Sequence, residues 1–274
     1  DHVEQVAAAG KAIVLQKPLA LTLEQGDRIV AAVERHGVPF TLAWQMRVDP
    51  HNLQIRDLLA GGRFGRLFQL RRRHCLSAHR WKGFETSWHV NPELNRDLFA
   101  DDAAHPIDFV YWLLGPPAGV TAELGSLGRS GFRHDNAVAL FRYPDGAFAE
   151  VSCTFCAPAA ETATEIVCEK GLLVQQYGDA VGGQTPWAPG AVQLKWILEG
   201  DAAWTCSDLP VIRNQGERIA GLAEPLAAFL NGRRPALATA REGRDVLGMT
   251  LACYASAAEG RRVAFTESFP LTRR

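Results

Sequence analysis

The chain has 274 residues, 47% of them hydrophobic and 22% charged, with a formal net charge of −1 and a pI near 6.8. That composition suits one large or two moderate domains with a sizeable core, and its balance lacks the strong positive charge that nucleic acid or an anionic membrane surface asks of a partner. No apolar run approaches the roughly 20 residues that span a bilayer, and six cysteines are too few for a disulfide framework in a chain this long, so a cytoplasmic location is expected.

The first residues already read as a helix. HVEQVAAAGK places Val3, Val6 and Ala7 on one face and Gly10 where a helix stops. AIVLQKPLA follows as a short buried strand that ends at Lys17-Pro18, because proline lacks an N–H and fixes φ. TLEQGDRIVAAVERHG is a helix with Thr22 as N-cap, Gln25 completing a capping box, and Ile29, Val30 and Val33 as its apolar face. Gly37 closes it and VPFTLAWQ is a second strand, which gives the rhythm of a parallel α/β unit.

From Pro50 the pattern changes. NLQIRDLLAGG is a helix closed by a glycine pair, and RLFQLRRRHC is a strand whose triplet Arg71-Arg72-Arg73 reads as a solvated strand end rather than a phosphate patch. Residues 76–92 are irregular and rich in Trp and His, and a helix over 98–114 stops at Gly115-Pro116-Pro117. The segments VTAELGSLG, NAVALFRY, GAFAEVSCTF, ATEIVCEKG, LLVQQY and AVQLKWILEG then follow as strands with no helix between them, and YPDG is a turn. Such a run argues for a large, mostly antiparallel sheet. Two helical segments, NQGERIAGLAEPLAAFLNG and TAREGRDVLGMTLACYASAAEG, complete the chain. The expected fold class is α/β plus α+β: a parallel piece over residues 1–45, then a sheet domain over 46–274 with flanking helices, the last of which could pack back on the first part.

Cys153 and Cys156 have CxxC spacing, yet no second pair completes a zinc site and EVSCTFC alternates like a strand, so free thiols and no metal are expected. Cys75 and His79 are similarly isolated. Asp101 and His105 stand at i and i+4, with Asp108 at i+7; one continuous helix would put the pair on one face, Cβ atoms about 5–6 Å apart. A carboxylate beside an imidazole raises its pKa and fixes its tautomer, as a general base needs. The same spacing also serves surface pairs and caps, and a helix dipole favours Asp101 and Asp102 near its start in either case. Lys17 ends a strand at the carboxyl edge of a parallel sheet, where crevices bind ligands; an ammonium there can polarise a carbonyl, or simply extend into solvent.

Together these segments resemble the Gfo/Idh/MocA oxidoreductases. GKAIVLQKPLA is similar to the family's AGKHVxxEKP segment, WQMRVDP at 44–50 to its crossover, DLFADDAAHPIDFVYWLLG at 97–115 to its D-x-G-x-H-x-x-D helix, and FLNGRRPALATAREGRDVLGMTLACYASAAEGRRV to its closing helices. The resemblance runs from residue 3 to about 265. It implies that residues 1–45 are the last part of a Rossmann-type dinucleotide domain whose N-terminal strands are absent, and that 46–274 form the substrate and oligomerisation domain. It also implies hydride transfer between NAD or NADP and a sugar, polyol or related small molecule. Lys17, Asp101 and His105 would gather beside the nicotinamide: His105 takes the hydroxyl proton, Lys17 polarises the same oxygen, and Asp101 orients the base or meets the substrate. Pro18 would shape the nicotinamide end of the site. Gln45 and Arg47 would face cofactor or substrate, with a salt bridge as the alternative for the arginine. Trp88, His89 and Asn91 would line a sugar pocket, the alternative being an ordinary loop. A homo-oligomer through the open sheet face is implied as well.

Two further readings belong to the same resemblance: net glycoside hydrolysis with bound NAD as a redox relay, and a non-catalytic dinucleotide sensor. Retention of all three central residues counts against the sensor. The chain departs from the pattern at Gln16 (glutamate in the family motif), at ELNRD in place of a glycine-rich run, and at Ala103, where the family has glycine. The strand with GxGxxG that opens the family fold is not present, so a fragment of a longer coding sequence, binding NAD(P) poorly, is expected.

Overall fold

A computed structural model describes residues 1–128, 132–158, 162–176, 190–212, 214–266 and 269–271; Tyr177, at the end of the expected strand LLVQQY, lies outside them. The first part holds α1 (His2–Ala8), β1 (Ile13–Leu15), α2 (Leu23–His36) and β2 (Phe40–Leu42). β1 and β2 pair in parallel, Ile13 opposite Phe40. The Thr22 hydroxyl caps α2 by accepting from the Gln25 N–H at 3.2 Å. Gln25 Oε1 takes the N–H of Leu21 at 3.1 Å instead of that of Thr22, so the expected capping box is displaced by one residue. Gly37 ends the helix in the left-handed region, φ 59°, which glycine enters without a steric penalty.

After a 3₁₀ turn over Gln45–Val48, α3 (Pro50–Ala60) is capped by Asp49, and β3 (Leu67–Cys75) follows. Three short 3₁₀ turns fill much of residues 78–90. The helix expected over 98–114 is two: α4 (Leu98–Asp102) and α5 (Ala104–Leu114), with Ala103 between them. Pro106 explains the interruption, because it cannot donate to the carbonyl four residues earlier. The remaining elements are β4 (Gly119–Gly125), β5 (Asn136–Arg142), β6 (Phe148–Thr154), β7 (Ala163–Cys168), β8 (Gly171–Gln175), β9 (Leu194–Leu198), β10 (Thr205–Cys206), α6 (Gln215–Ala220), α7 (Ala223–Leu230), α8 (Ala240–Glu259) and β11 (Val263–Ala264).

β3 to β11 form one nine-stranded sheet in the order β10-β9-β8-β7-β3-β6-β5-β4-β11. β3 is inserted between β6 and β7, parallel to the first and antiparallel to the second; the other neighbours are antiparallel. Alternation sets the faces: on β5, Ala137, Ala139 and Phe141 are buried while Val138 and Leu140 are exposed. On β3 the same alternation buries Leu70, Arg72 and His74 and leaves Arg71 and Arg73 outside. Arg72 is therefore no solvated strand end. It is fully buried, donates to Thr164 Oγ1 at 2.5 Å and Gln175 Oε1 at 2.8 Å, and its guanidinium sits 4.6 Å from the centre of the Phe109 ring. Burial lowers its pKa to about 10.

α5 and α8 pack together, joined by the Tyr111 hydroxyl donating to Asp245 at 2.8 Å, and they rest on the inner face of the sheet. α8 also packs on α2 and β2. At Gly243 a Cβ would come within 2.3 Å of Leu42 Cδ1, so a side chain there would have to push that buried methyl aside. The last helix thus fastens the small parallel pair to the large sheet. On the opposite sheet face, Val138, Leu140 and Phe148 are exposed. The six cysteines are free thiols, and Cys156 is only half-buried. Among the described residues no helix is long and apolar enough to cross a membrane.

Candidate active site

β1 and β2 end side by side and in parallel, so the residues just beyond them, Gln16-Lys17 and Gln45, emerge at one edge. They form one wall of a cavity of about 690 Å³. His74 and Leu76 from the end of β3, with Trp81, Trp88 and His89 from the 3₁₀ segment, form a second wall. Asp101, Asp102 and His105 close it from the junction of α4 and α5, and Gln215, Ile219 and Leu222 approach from α6 and the residue pair after it.

Lys17 is the electrostatic centre. Its Nζ donates to Asp101 Oδ1 at 2.8 Å and to the Asp101 carbonyl at 3.1 Å, and lies 3.8 Å from Asp102 Oδ1. His105, 5% exposed, packs edge-on against Trp44 with ring centres 5.6 Å apart, and its ring centre is 6.4 Å from that of His74. Its Nδ1 is buried and has no hydrogen-bond partner among the described residues. The expected Asp101–His105 hydrogen bond does not form among the described residues, and the Lys17 ammonium holds the Asp101 carboxylate. Consequently His105 is not raised in pKa. Burial first, and the Lys17 charge second, push it well below the usual histidine range. Burial also lowers His74, to about 4, against a partial offset from Asp102.

The flanking residues divide. Trp88 and His89 line the cavity, stacked with ring centres 3.8 Å apart, and His89 Nε2 is 4.0 Å from Asp101 Oδ2. Asn91 does not reach it; its Oδ1 accepts from the Glu93 N–H at 2.9 Å. Pro18 borders a separate void of about 10 Å³ with Leu19 and Trp44, and its peptide bond with Lys17 is cis. Arg47 points away from the cavity. It is 3% exposed, forks onto Asp108 at 3.0 and 2.7 Å, and donates to the Leu237 carbonyl at 2.8 Å and to Glu242 at 3.3 Å. Asp108 is thereby a structural acid. Asp97 caps α4 by accepting from the Ala100 N–H at 2.9 Å, and it also accepts from the Tyr254 hydroxyl and meets His134 Nδ1 at 2.7 Å.

Sequence reasoning did not single out His74, Trp81, Asp102 or the α6 residues as parts of this site. His74 was within reach of the period-two rule, which puts it on the face of Leu70 and Arg72. Nothing local marks Gln215 or Ile219, since a return of the chain of more than a hundred residues brings them here. Among the described residues no group of three or more His, Cys, Asp or Glu side chains is placed to hold a metal ion. A dinucleotide suits the site at its nicotinamide end, where the carboxyl ends of parallel strands present Lys17 and Gln45.

The C-terminal domain model of the GFO/IDH/MocA family matches residues 52–174, and the oxidoreductase family model with an NAD-binding Rossmann fold matches residues 1–43. The chain is 30% identical to 1,5-anhydro-D-fructose reductase of Ensifer adhaerens, over 95% of this chain and 75% of that one. It is 26% identical to a myo-inositol dehydrogenase of Streptomyces leeuwenhoekii, again over 95% and 75%. The solved structure of a levoglucosan dehydrogenase in complex with NADH and levoglucosan has the same fold, with a TM-score of 0.80 over 98% of this chain and 76% of that one at 20% identity. With both parts of the fold, their order and a relative of this identity in agreement, the chain belongs to the Gfo/Idh/MocA family of NAD(P)-dependent oxidoreductases.

Proposed function

We propose that the protein moves a hydride between NAD(P) and a carbinol carbon of a sugar, polyol or related hydroxylated molecule, with His105 as general base. The observation that carries this reading is the convergence of a neutral, buried imidazole and a lysine on one cavity at the carboxyl ends of β1 and β2. NAD(P), when bound there, supplies the nicotinamide that accepts or returns the hydride. Lys17, Gln45 and Pro18 would hold and shape that end of the cofactor.

An ammonium has three protons to donate, and Asp101 takes two of those of Lys17 through its carboxylate and its carbonyl. The third is left for the substrate oxygen. Asp101 therefore serves to aim Lys17 rather than to orient His105. As the carbinol C–H bond breaks, His105 takes the hydroxyl proton and Lys17 stabilises the negative charge that develops on oxygen. Burial keeps His105 in the form that can accept that proton across the physiological range. Trp88 and His89 offer one wall to the substrate. In this reading residues 1–45 serve the cofactor, residues 46–274 serve substrate and assembly, and a second copy covers the exposed sheet face around Val138, Leu140 and Phe148.

The test is nicotinamide absorbance with the full-length protein, using NAD or NADP with myo-inositol and simple hexoses, and NADH or NADPH with the ketone 1,5-anhydro-D-fructose. Turnover of at least one member is expected. Absence of turnover across the panel, with no cofactor binding by calorimetry, overturns the reading.

A further inference from the structure

Asp102 is a carboxylate in this cavity that the hydride-transfer chemistry leaves unused. It follows Asp101 at the end of α4, its side chain is 19% exposed, and it lines the same 690 Å³ space. Its only ion pair among the described residues is with Lys17 at 3.8 Å, too long for a hydrogen bond, because Asp101 holds the ammonium at 2.8 Å. No hydrogen bond to its oxygens forms among the described residues, while an ionised carboxylate can accept about four. Those lone pairs face a cavity and call for donors from whatever occupies it.

The charges of the cavity point the same way. Among its described lining residues the fixed charges are Lys17, Asp101 and Asp102, a net of −1, and no arginine is present. The two buried histidines, His74 and His105, add no positive charge near neutral pH. A carboxylate or phosphate on the substrate would meet two like charges against the one Lys17 proton that Asp101 leaves free. A hydroxyl meets an acceptor instead, and Trp81 and Trp88 offer aromatic surface to the C–H groups of a ring.

We propose that Asp102 is a specificity-determining residue: its carboxylate accepts a hydrogen bond from a hydroxyl of an uncharged polyhydroxylated substrate and rejects the sugar acid of the same skeleton. The proposal rests on the oxidoreductase reading for the identity of the site, and it is tested by binding as well as by turnover. The probes, used with the full-length protein, are myo-inositol and D-glucose as neutral compounds and D-glucuronate as the acid, each with NAD or NADP present, and 1,5-anhydro-D-fructose as a neutral ketone with NADH or NADPH present. Wild type, Asp102→Asn and Asp102→Glu are compared by calorimetry and by kcat/KM, with thermal melting as the check on folding.

The wild type should favour its best neutral probe over glucuronate by roughly 100-fold, the size expected when like charges are brought together in a partly desolvated site. Asp102→Asn should lose about 10-fold to 100-fold on the neutral probe, chiefly in KM, and should narrow the neutral-to-acid ratio at least about tenfold, whereas Asp102→Glu restores part of that ratio. A wild type that prefers glucuronate, or a ratio that Asp102→Asn leaves unchanged, overturns the proposal while leaving hydride transfer intact. Discrimination in binding that depends on Asp102, without nicotinamide turnover, sustains the proposal and overturns the oxidoreductase reading. Failure of every probe to bind or react overturns both.

Discussion

Replacing Arg47 by methionine separates the two roles that the sequence leaves open for it. The guanidinium is 3% exposed and ties three elements together: Asp108 of α5 through two hydrogen bonds at 3.0 and 2.7 Å, the Leu237 carbonyl at 2.8 Å, and Glu242 of α8 at 3.3 Å. Methionine keeps much of the apolar stem and removes every donor. Taking one partner from a buried ion pair costs about 3–5 kcal/mol. The Asp108 contact carries most of this, because Asp108 is fully buried, while the more exposed Glu242 is screened by solvent. For a chain of this size a loss of that order should lower Tm by roughly 6–20 °C. Differential scanning calorimetry reads the change directly. Adding Asp108→Leu should recover about 2 kcal/mol or more, since a packed apolar pair replaces a buried ion pair at little net loss. A Tm within about 2 °C of wild type, joined to a roughly tenfold higher KM for the nicotinamide cofactor, would refute the structural role and put Arg47 in the cofactor site.

The other predictions concern chemistry, pH and assembly. His105→Ala should lower kcat by about 10²-fold to 10⁴-fold and leave the Kd of the cofactor nearly unchanged; an undiminished kcat removes His105 as the base. Stability should fall as pH drops from about 6.5 toward 4, because the unfolded chain takes up a proton that folded His74, with its pKa lowered to about 4, cannot accept; above pH 6.5 the effect vanishes. The His74 share is about 3 kcal/mol over that window, so His74→Gln should flatten the urea-unfolding profile, and an unchanged slope would show that this histidine is not buried neutral. Leu140→Glu, on the uncovered sheet face, should turn an oligomer into a monomer in sedimentation velocity at micromolar concentration, and a wild type that already sediments as a monomer counts against assembly through that face.

Much of the secondary structure was legible in the sequence because it depends on near neighbours. Thr22 at the head of α2, Gly37 at its end, and the alternation of β5 follow from capping and periodicity alone. So do the motifs that bring Lys17 and His105 to notice. Local reasoning misled where a single residue or a competing partner intervened. Pro106 divides a helix that periodicity draws as continuous, and period-two alternation carries Arg72 into the core although its neighbours on both sides stay outside.

The sequence by itself determined the family and brought Lys17, Asp101 and His105 to notice. Only the tertiary structure decided which of them meet. Lys17 and Asp101 are 84 residues apart in the chain, and nothing in the spacing of Asp101 and His105 reveals that a distant ammonium will hold the carboxylate first. A cation at 2.8 Å dominates a carboxylate's environment, so the choice of partner lies in how the loop after β1 meets the end of α4 rather than in either segment. The same packing leaves Asp102 with its oxygens toward the cavity and gives His105 a neutral, buried ring in place of a charged pair.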